Sequence, residues 1–226
     1  MKTKTKFDSK PWMIRREKII EAIIDSYGSD FFRKECGSIL EVGCGAAPMS
    51  LFFAEKYPRI NITCSDAKEE NLKEIKKRNP DIKVITADLD YCWPFQPEYD
   101  LIIHSGVLYH LHKPHTALRW ACKKIKKHLF LETEWFDSDD PNAMMCMVDE
   151  FEDIYNGAKN LVGCRPSMGM LERVLSEEEV VYERIMRKKY NSKYCIYTNE
   201  VEGTNKISVM GKEYRGMWRI ENDNRT

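Results

Sequence analysis

The stretch ILEVGCGAAP (residues 39–48) decides the fold. A short apolar run reaches two glycines and leads into APMSLFFAEKY (47–57), which has a helical pattern with Pro48 suited to the first turn. A strand that turns through glycine into a helix brings backbone N–H groups close to a ligand. Pro48 stands where the dinucleotide pattern G-x-G-x-x-G has its third glycine, which disfavours a nicotinamide cofactor.

Outward from this turn, strand-like and helix-like segments alternate. Apolar or alternating runs predict strands, and charged amphipathic runs predict helices. This alternation is typical of βαβ units around a parallel sheet, and near-continuous apolar strands such as LIIHS indicate burial on both faces. We therefore predict an α/β, doubly wound, mostly parallel, seven-stranded sheet. The segments beyond the first turn are strands over 60–66, 82–88, 99–105 and 128–136, and helices over 67–79 and 113–126.

The two ends of the chain frame this core. We predict a basic arm and a helix (12–27) within residues 1–37, and one domain over residues 38–226. The acidic, Met-rich stretch of about 137–165 is not strand-like and should cover one end of the sheet, with its methionines 144, 145 and 147 as a helix's core face. A helix over 165–177 and two antiparallel strands in VVYERIMRKKY and KEYRGMWRIE should follow.

Composition excludes several classes of protein. Lys+Arg and Asp+Glu both number 36 in 226 residues, which argues against a large phosphate-tracking surface. None of the eight cysteines forms a C-x-x-C pair, and we expect free thiols in a reducing, cytoplasmic setting. The first residues lack the apolar region of a secretory signal, and no run approaches a membrane span.

Three acids follow the first three predicted strands. Glu41 lies at the exit of the first strand, Asp66 ends the second and Asp88 ends the third. Parallel strands deliver such carboxylates to the carboxyl edge of the sheet, where open α/β folds bind ligands. The array suits a nucleoside that carries an amino group and a positive centre, whereas a triphosphate would need a P-loop lysine that is missing. An ordinary helix N-cap is the alternative reading of Asp66.

The segments LEVGCG, SDA, ADLD and YDLIIHSGVLYHL together resemble the class I S-adenosylmethionine-dependent methyltransferases over about residues 38–136. The resemblance implies a Rossmann-like methyltransferase fold and S-adenosyl-L-methionine as cofactor. It implies that the glycines pack under the methionine part, that Glu41 lies near its ammonium, that Asp66 holds the ribose and that Asp88 and Leu89 border the adenine. Ala47 replaces a frequent third glycine, which is tolerable if its φ stays negative. The implied cofactor-binding residues are Glu41, Gly43, Gly45, Asp66, Ala67, Asp88, Leu89 and Ser105.

Two narrower resemblances lie within that class. SGVLYHLHKPHTAL followed by FLETEWFDSDD resembles the bacterial tRNA wobble-uridine carboxymethyltransferases, where a tyrosine, a lysine and an arginine hold the carboxylate of a carboxylated cofactor. Tyr109 matches the tyrosine, Arg215 is an unanchored match for the arginine, and no lysine is placed. The same pattern, with R-P-S, also resembles small bacterial and phage methyltransferases that modify sugars or secondary metabolites. We expect Arg165 and Arg215 to contact the substrate.

HSGVLYHLHKPH (104–115) holds four of the five histidines and should face the transferable methyl group. His110 is our first candidate for the general base, with Glu132 second and Tyr109 beside them as the third catalytic candidate. The alternatives are that His110 bonds only to backbone, that His104 is a satisfied core residue and that Tyr109 is an amphipathic wall. The spacing does not match known zinc sites, so we predict no metal.

We expect methyl transfer to a small polar acceptor, such as a sugar or metabolite hydroxyl or amine. The short chain and neutral charge favour this hypothesis over tRNA modification, for which Tyr109 and the lysines of the basic arm would speak. A non-catalytic module that keeps the cofactor fold is the third hypothesis. The prediction for partners is a small molecule, with tRNA as an alternative and no membrane.

Overall fold

The strand before the glycine turn, β1, is the central one of five parallel strands. In the computed structural model β1 pairs in parallel with β2 on one side and β4 on the other, and β3 and β5 extend the sheet in the order β5-β4-β1-β2-β3. The alternation of strands and helices read from the sequence is thus confirmed. The strands are β1 (Ser38–Val42), β2 (Asn61–Asp66), β3 (Lys83–Thr86), β4 (Tyr99–Ser105) and β5 (Ile125–Glu134).

The structure describes residues 10–96, 98–140, 142, 145–149, 162–185, 187–193, 195–197, 202–209 and 212–222. The predicted basic arm lies almost wholly outside this part of the chain, and so does Met144. Over the described residues the helices are α1 (Lys10–Asp30, continued by a π-helical turn Phe31–Glu35), α2 (Pro48–Lys56), α3 (Glu69–Arg78), α4 (Pro114–Lys123) and α5 (Met168–Glu177).

The second half of the chain adds antiparallel strands to the free side of β5. The long β11 pairs with β5, and β8 pairs with β11, which confirms the two antiparallel strands predicted in the tail. Two short strands also join β11, so the sheet has nine strands among the described residues rather than seven. The added strands are β8 (Val180–Arg184), β9 (Cys195–Tyr197), β10 (Ser208–Val209) and β11 (Lys212–Asn222).

The prediction that residues 137–165 are not strand-like was wrong. Met145–Asp149 and Val162–Pro166 form an antiparallel pair, β6 and β7. Met147 on β6 is 54% exposed, so it does not belong to a helix's core face. A two-stranded ribbon with one exposed face needs few apolar residues. The alternation of apolar and polar residues that predicts a strand is therefore weak in this charged, Met-rich segment.

The two faces of the sheet carry two apolar clusters that follow strand alternation. On one face, Ile39 and Leu101 pack with Ile19 and Ile23 of α1 and with Phe53 of α2. On the other face, the alternate strand residues pack against α4 and α5. Glu41 lies two residues after Ile39 on β1, so its side chain lies on the same face, which α1 covers. The alternation along β5 places the side chain of Glu132 on this face as well.

Candidate active site

The glycine turn after β1 keeps its backbone in the left-handed region. Gly43, Gly45 and Ala47 have φ of 56°, 53° and 48°. A Cβ on Gly43 would meet Val107 Cγ2 at 2.3 Å, so glycine is required there for close packing as well as for its φ. The expectation that Ala47 keeps a negative φ was wrong. The chain must reverse before Pro48 starts α2, and a residue in the left-handed conformation makes that reversal at a cost of about 1–2 kcal/mol.

Two cavities open on either side of this turn, and both touch Gly43, Gly45 and Gly106. The first, which we call the α1 cavity, is lined by Arg15, Arg16, Glu41, Ser105 and Tyr109 among others. The second, which we call the β3 cavity, is lined by Asp66, Ala67, Asp88, Leu89 and His110 among others. Every predicted cofactor residue therefore lines at least one of the two cavities.

Glu41 is buried in the α1 cavity with one oxygen unused. Its Oε2 accepts a hydrogen bond from the Ser50 backbone N–H at 2.8 Å, whereas Oε1 has no partner among the described residues. Burial raises the pKa of this carboxyl to about 7, because the charged form loses its hydration. At neutral pH, Glu41 can therefore ionise and bind a cation at a modest cost in free energy.

Asp66 holds the turn together at the entrance of the β3 cavity. Its two oxygens accept hydrogen bonds from the backbone N–H groups of Gly45 and Lys68, each at 2.8 Å. Burial raises the pKa of Asp66, while these bonds act in the opposite direction. The bond to Lys68 is an Asx turn that precedes α3, whose N-cap is Lys68 itself, so Asp66 is not the helix N-cap of the alternative reading.

Asp90 is a site residue that sequence reasoning missed. Its Oδ1 accepts hydrogen bonds from the N–H groups of His112 and Lys113 at 2.8 and 2.9 Å. These bonds fix the end of the histidine-rich loop against the β3 cavity, which Asp90 also lines. The repeated acid of ADLD was the available signal, since Asp88 alone was assigned a role.

The loop after β4 divides its two candidate catalytic residues between the two cavities. Residues 108–110 form a 3₁₀ turn, in which consecutive side chains diverge by about 120°. Tyr109 lines the α1 cavity and His110 lines the β3 cavity, with their ring centroids 4.1 Å apart. Because the two cavities share the glycine turn, which of the two side chains faces the methyl group stays a prediction, and so does the base role of His110.

The remaining histidines do not gather. His104 is completely buried in β4, as expected for a core residue, but neither ring nitrogen has a hydrogen-bond partner among the described residues. Burial lowers its pKa to about 4, so the ring is neutral. In the part of the chain that the structure describes, no group of three His, Cys, Asp or Glu side chains could hold a metal ion.

Glu132 lies at the centre of a buried charged network. Its carboxylate accepts hydrogen bonds from Arg15 Nη2 at 3.0 Å, Arg215 Nη1 at 2.9 Å and Ser105 Oγ at 2.9 Å. Burial opposes its charge, but the two guanidinium groups outweigh that effect and lower its pKa to about 2. A carboxylate with this pKa and these partners is a poor proton acceptor, so the geometry argues against Glu132 as a general base.

Tyr109 lies between two guanidinium groups of this network. The Cζ atoms of Arg165 and Arg215 lie 4.9 and 5.1 Å from the centre of its ring, and Arg215 Nη2 lies 3.4 Å from the phenol oxygen. Arg165 also donates to the Tyr109 carbonyl at 3.0 Å. Burial raises the pKa of Tyr109, which keeps the phenol neutral. Both predicted substrate arginines thus hold Tyr109 in place.

The network is electrically balanced. Arg215 also pairs with Glu134 and Glu213, and Arg165 pairs with Glu134. Three arginines, counting Arg15, therefore face three glutamates, and Arg215 is only 2% exposed. Its guanidinium is committed to protein carboxylates rather than open to a ligand. Sequence reasoning missed Arg15, and it considered Glu134 only as a catalytic candidate, because the pairing joins α1, β5, β7 and β11, which are far apart along the chain.

Comparisons with known proteins find methyltransferases. Residues 39–129 match the family described as a methyltransferase domain. A malonyl-[acyl-carrier protein] O-methyltransferase of Priestia megaterium is 26% identical over 106 residues, which are 46% of this chain and 38% of that enzyme. The chain thus spans well under half the length of that relative.

Solved structures share the fold over almost the whole chain. The N-terminal domain of EvdMO1, crystallised in the presence of SAH and D-fucose, has a TM-score of 0.65 at 14% identity and covers 95% of this chain and 84% of its own. Magnesium protoporphyrin IX methyltransferase from Synechocystis PCC 6803, with bound SAH, has a TM-score of 0.61 at 11% identity. The match covers 99% of this chain and 90% of that enzyme. Residues 39–129 thus match a methyltransferase domain, and the chain shares its fold with methyltransferases that were crystallised with SAH.

Proposed function

We propose that this protein transfers a methyl group from S-adenosylmethionine to a small polar acceptor. The observation that carries the proposal is the pair of cavities that meet at the glycine turn. The α1 cavity contains the buried carboxylate of Glu41, whose Oε1 has no hydrogen-bond partner among the described residues. The β3 cavity contains Asp66 and Asp88. This is the complement of a ligand with an amino-acid end and a nucleoside end, which fits the predicted cofactor.

Each predicted cofactor residue has a task that its position supports. Glu41 Oε1 accepts a hydrogen bond from an ammonium in the α1 cavity, while Asp66 retains lone pairs for ribose hydroxyls and Asp88 and Leu89 border the base in the β3 cavity. Ser105 already donates to Glu132, so its contribution is to the wall of the cavity. The cofactor supplies a methyl group already activated by a sulfonium.

The chain's own contribution to transfer is alignment and exclusion of water. The neutral phenol of Tyr109 is held by two arginines beside the α1 cavity, where it can donate a hydrogen bond to the acceptor and fix its angle of approach. The β6–β7 ribbon supports this wall, because Arg165 of β7 donates to the Tyr109 carbonyl. The solved relative crystallised with D-fucose favours a hydroxylated acceptor as the first class to test.

The proposal is tested by calorimetry with S-adenosylhomocysteine, followed by incubation with S-adenosylmethionine and panels of sugars and small amines. We expect micromolar binding and a mass gain of one methylene in an acceptor. Absence of binding at millimolar ligand would overturn the proposal. Tight binding without turnover on any panel or on cell extract would leave the non-catalytic module as the better reading.

The contact between Tyr109 and Arg215 favours one second candidate, a tRNA-modifying enzyme that uses a carboxylated cofactor. In that case the carboxylated form should bind more tightly than S-adenosylmethionine, and tRNA should bind with a steep salt dependence. The balanced network speaks against it, because the three glutamates that hold Arg215 also repel a ligand carboxylate. Equal or weaker binding of the carboxylated form would eliminate this candidate.

A further inference from the structure

Two arginines of α1 reach the α1 cavity with unused donors. Arg15 and Arg16 both line it, and in both side chains Nε is buried without a hydrogen-bond partner among the described residues. A buried N–H without an acceptor is costly in free energy. The cavity therefore presents two donors that the protein itself does not satisfy.

The charges of the two arginines differ in availability. Arg15 is committed through Nη2 to Glu132, whereas Arg16 makes no ion pair with any residue that the structure describes. Arg16 shares the cavity wall with Glu41, whose Oε1 is also unused, yet the two side chains do not pair with each other. Within the described part of the chain, a guanidinium without an ion pair and a carboxylate with one unused oxygen lie in one cavity, and together they complement a zwitterion.

The α-amino acid group is the zwitterion of matching size. If Glu41 receives an ammonium, a carboxylate on the same carbon lies within the same small cavity, and a guanidinium is the preferred protein partner for a carboxylate. We infer that Arg16, supported by Arg15 Nε, binds the carboxylate at the methionine end of the cofactor. This inference rests on the proposed function and adds to it that α1 forms part of the cofactor site.

The position of Arg15 explains how α1 is held there. Gly106 has φ of 74°, and a Cβ at this position would lie 2.7 Å from Arg15 Nη2. The absence of a side chain at Gly106 thus lets Arg15 pass to Glu132, and that ion pair sets the rotation of α1 that brings Arg16 to the cavity. Arg15 is a positioning residue in this scheme and Arg16 is a binding residue.

The test is binding by calorimetry without any acceptor present, using S-adenosylmethionine and its decarboxylated analogue, which keeps the ammonium and the sulfonium. We expect Arg16→Gln to weaken S-adenosylmethionine on the order of 10–100-fold, because a charge-assisted hydrogen bond is lost, and to change the decarboxylated analogue less than about twofold. Arg16→Lys should recover part of the affinity. Arg33→Gln, an exposed arginine of the π-helical turn, is the matched control and should change neither.

The outcomes separate this inference from the proposed function. If Arg16→Gln binds S-adenosylmethionine as the wild type does, or weakens both ligands equally, the carboxylate subsite is overturned while the cofactor assignment stands. If the wild-type protein binds neither ligand, the proposed function itself fails. Thermal unfolding of each variant shows whether a loss of binding reflects a loss of fold.

Discussion

Glu41 and Glu132 are both almost completely buried on the same face of the sheet, and their ionisation moves in opposite directions. The pKa of Glu41 rises to about 7, whereas that of Glu132 falls to about 2. Burial opposes the charge of both. The difference comes from partners, because Glu132 has two guanidinium groups and Glu41 has one backbone N–H.

This contrast separates what the site binds from what holds it together. A buried carboxylate whose partners are all within the protein is part of the scaffold, and one with an unused oxygen beside a cavity is open to a ligand. Sequence position alone does not distinguish the two, since both glutamates lie near the carboxyl end of a parallel strand. The predictions below test the contrast, from the largest expected effect to the smallest.

The largest effect should come from Arg215→Met. This change removes one of the two guanidinium partners of Glu132 and also takes a cation from Glu134 and Glu213, so the free energy of unfolding should fall by about 3–5 kcal/mol. Denaturant unfolding at neutral pH measures the change. Arg219→Met on the same strand is the control, since that guanidinium is 37% exposed and its loss should cost about 1 kcal/mol or less. Equal losses for the two variants would show that the network is not the scaffold.

The next effect is a dependence of stability on pH. Folding raises the pKa of Glu41 from 4.5 to about 7, so the stability that its protonated form contributes is present below pH 4.5 and is lost as pH rises through 7. The ligand-free protein should lose about 3 kcal/mol from this group over that range. Glu132 has the opposite effect, because folding lowers its pKa. Its contribution to the stability of the protein is present above pH 4.5 and is lost as pH falls through 2.

Glu41→Gln is the control for this pH dependence, since its amide oxygen can still accept from Ser50. Relative to this variant, the wild type should lose about 3 kcal/mol of stability as pH rises from 4.5 to 7, measured by denaturant unfolding at several pH values. The opposite contribution of His104, whose pKa burial lowers to about 4, is common to both proteins and cancels in the difference. Saturating S-adenosylhomocysteine should also reduce the wild-type loss, because an ammonium beside Glu41 favours the ionised form. A wild-type slope that survives in Glu41→Gln would assign the titration to another group.

Asp66→Ala should have an intermediate effect. Loss of the carboxylate removes the support of Gly45 and the predicted acceptor of ribose hydroxyls, so cofactor binding should weaken by about 1–3 kcal/mol. Calorimetry should find this loss for both S-adenosylhomocysteine and 5′-methylthioadenosine. Glu41→Gln should weaken only the former, since the latter has no amino-acid end. The same pattern in both variants would contradict the division into two cavities.

The smallest effect should come from His110→Ala. Because His110 lines the β3 cavity, we expect a several-fold weaker cofactor affinity, worth about 1 kcal/mol, and little change in the dependence of turnover on pH. Calorimetry and steady-state rates from pH 6 to 9 measure both quantities. A hundredfold loss of turnover with unchanged cofactor affinity would restore His110 as the general base.

The sequence was most informative where contacts are local. β1, the glycine turn and α2 are consecutive, and the acids of β2 and β3 follow from the rule that parallel strands end at one edge. The rule did not give the conformation of Ala47, because backbone φ depends on how the turn meets α2. It also did not give the β6–β7 ribbon, whose pattern is weak.

The sequence was least informative for the charged network. Arg15, Glu132 and Arg215 are ordinary residues in their own elements, and only docking of α1 and β11 onto β5 makes them partners. Arg215 was predicted as a ligand contact from a resemblance, and the structure places it buried among carboxylates, so its contact with a ligand stays a prediction. A carboxylate's role here follows from its neighbours in space, which single-sequence periodicity does not reveal.

The ion pairs of Glu132 have a consequence for the order of folding. They join residues 117 and 83 positions apart along the chain, and such long loops close late because their entropy must be offset by contacts made elsewhere. The βαβ units around the glycine turn rely on short-range contacts and can form earlier. Since Arg15 and Arg16 of α1 line the α1 cavity, the methionine end of the proposed cofactor site should be completed only when these ion pairs form, after the β3 cavity.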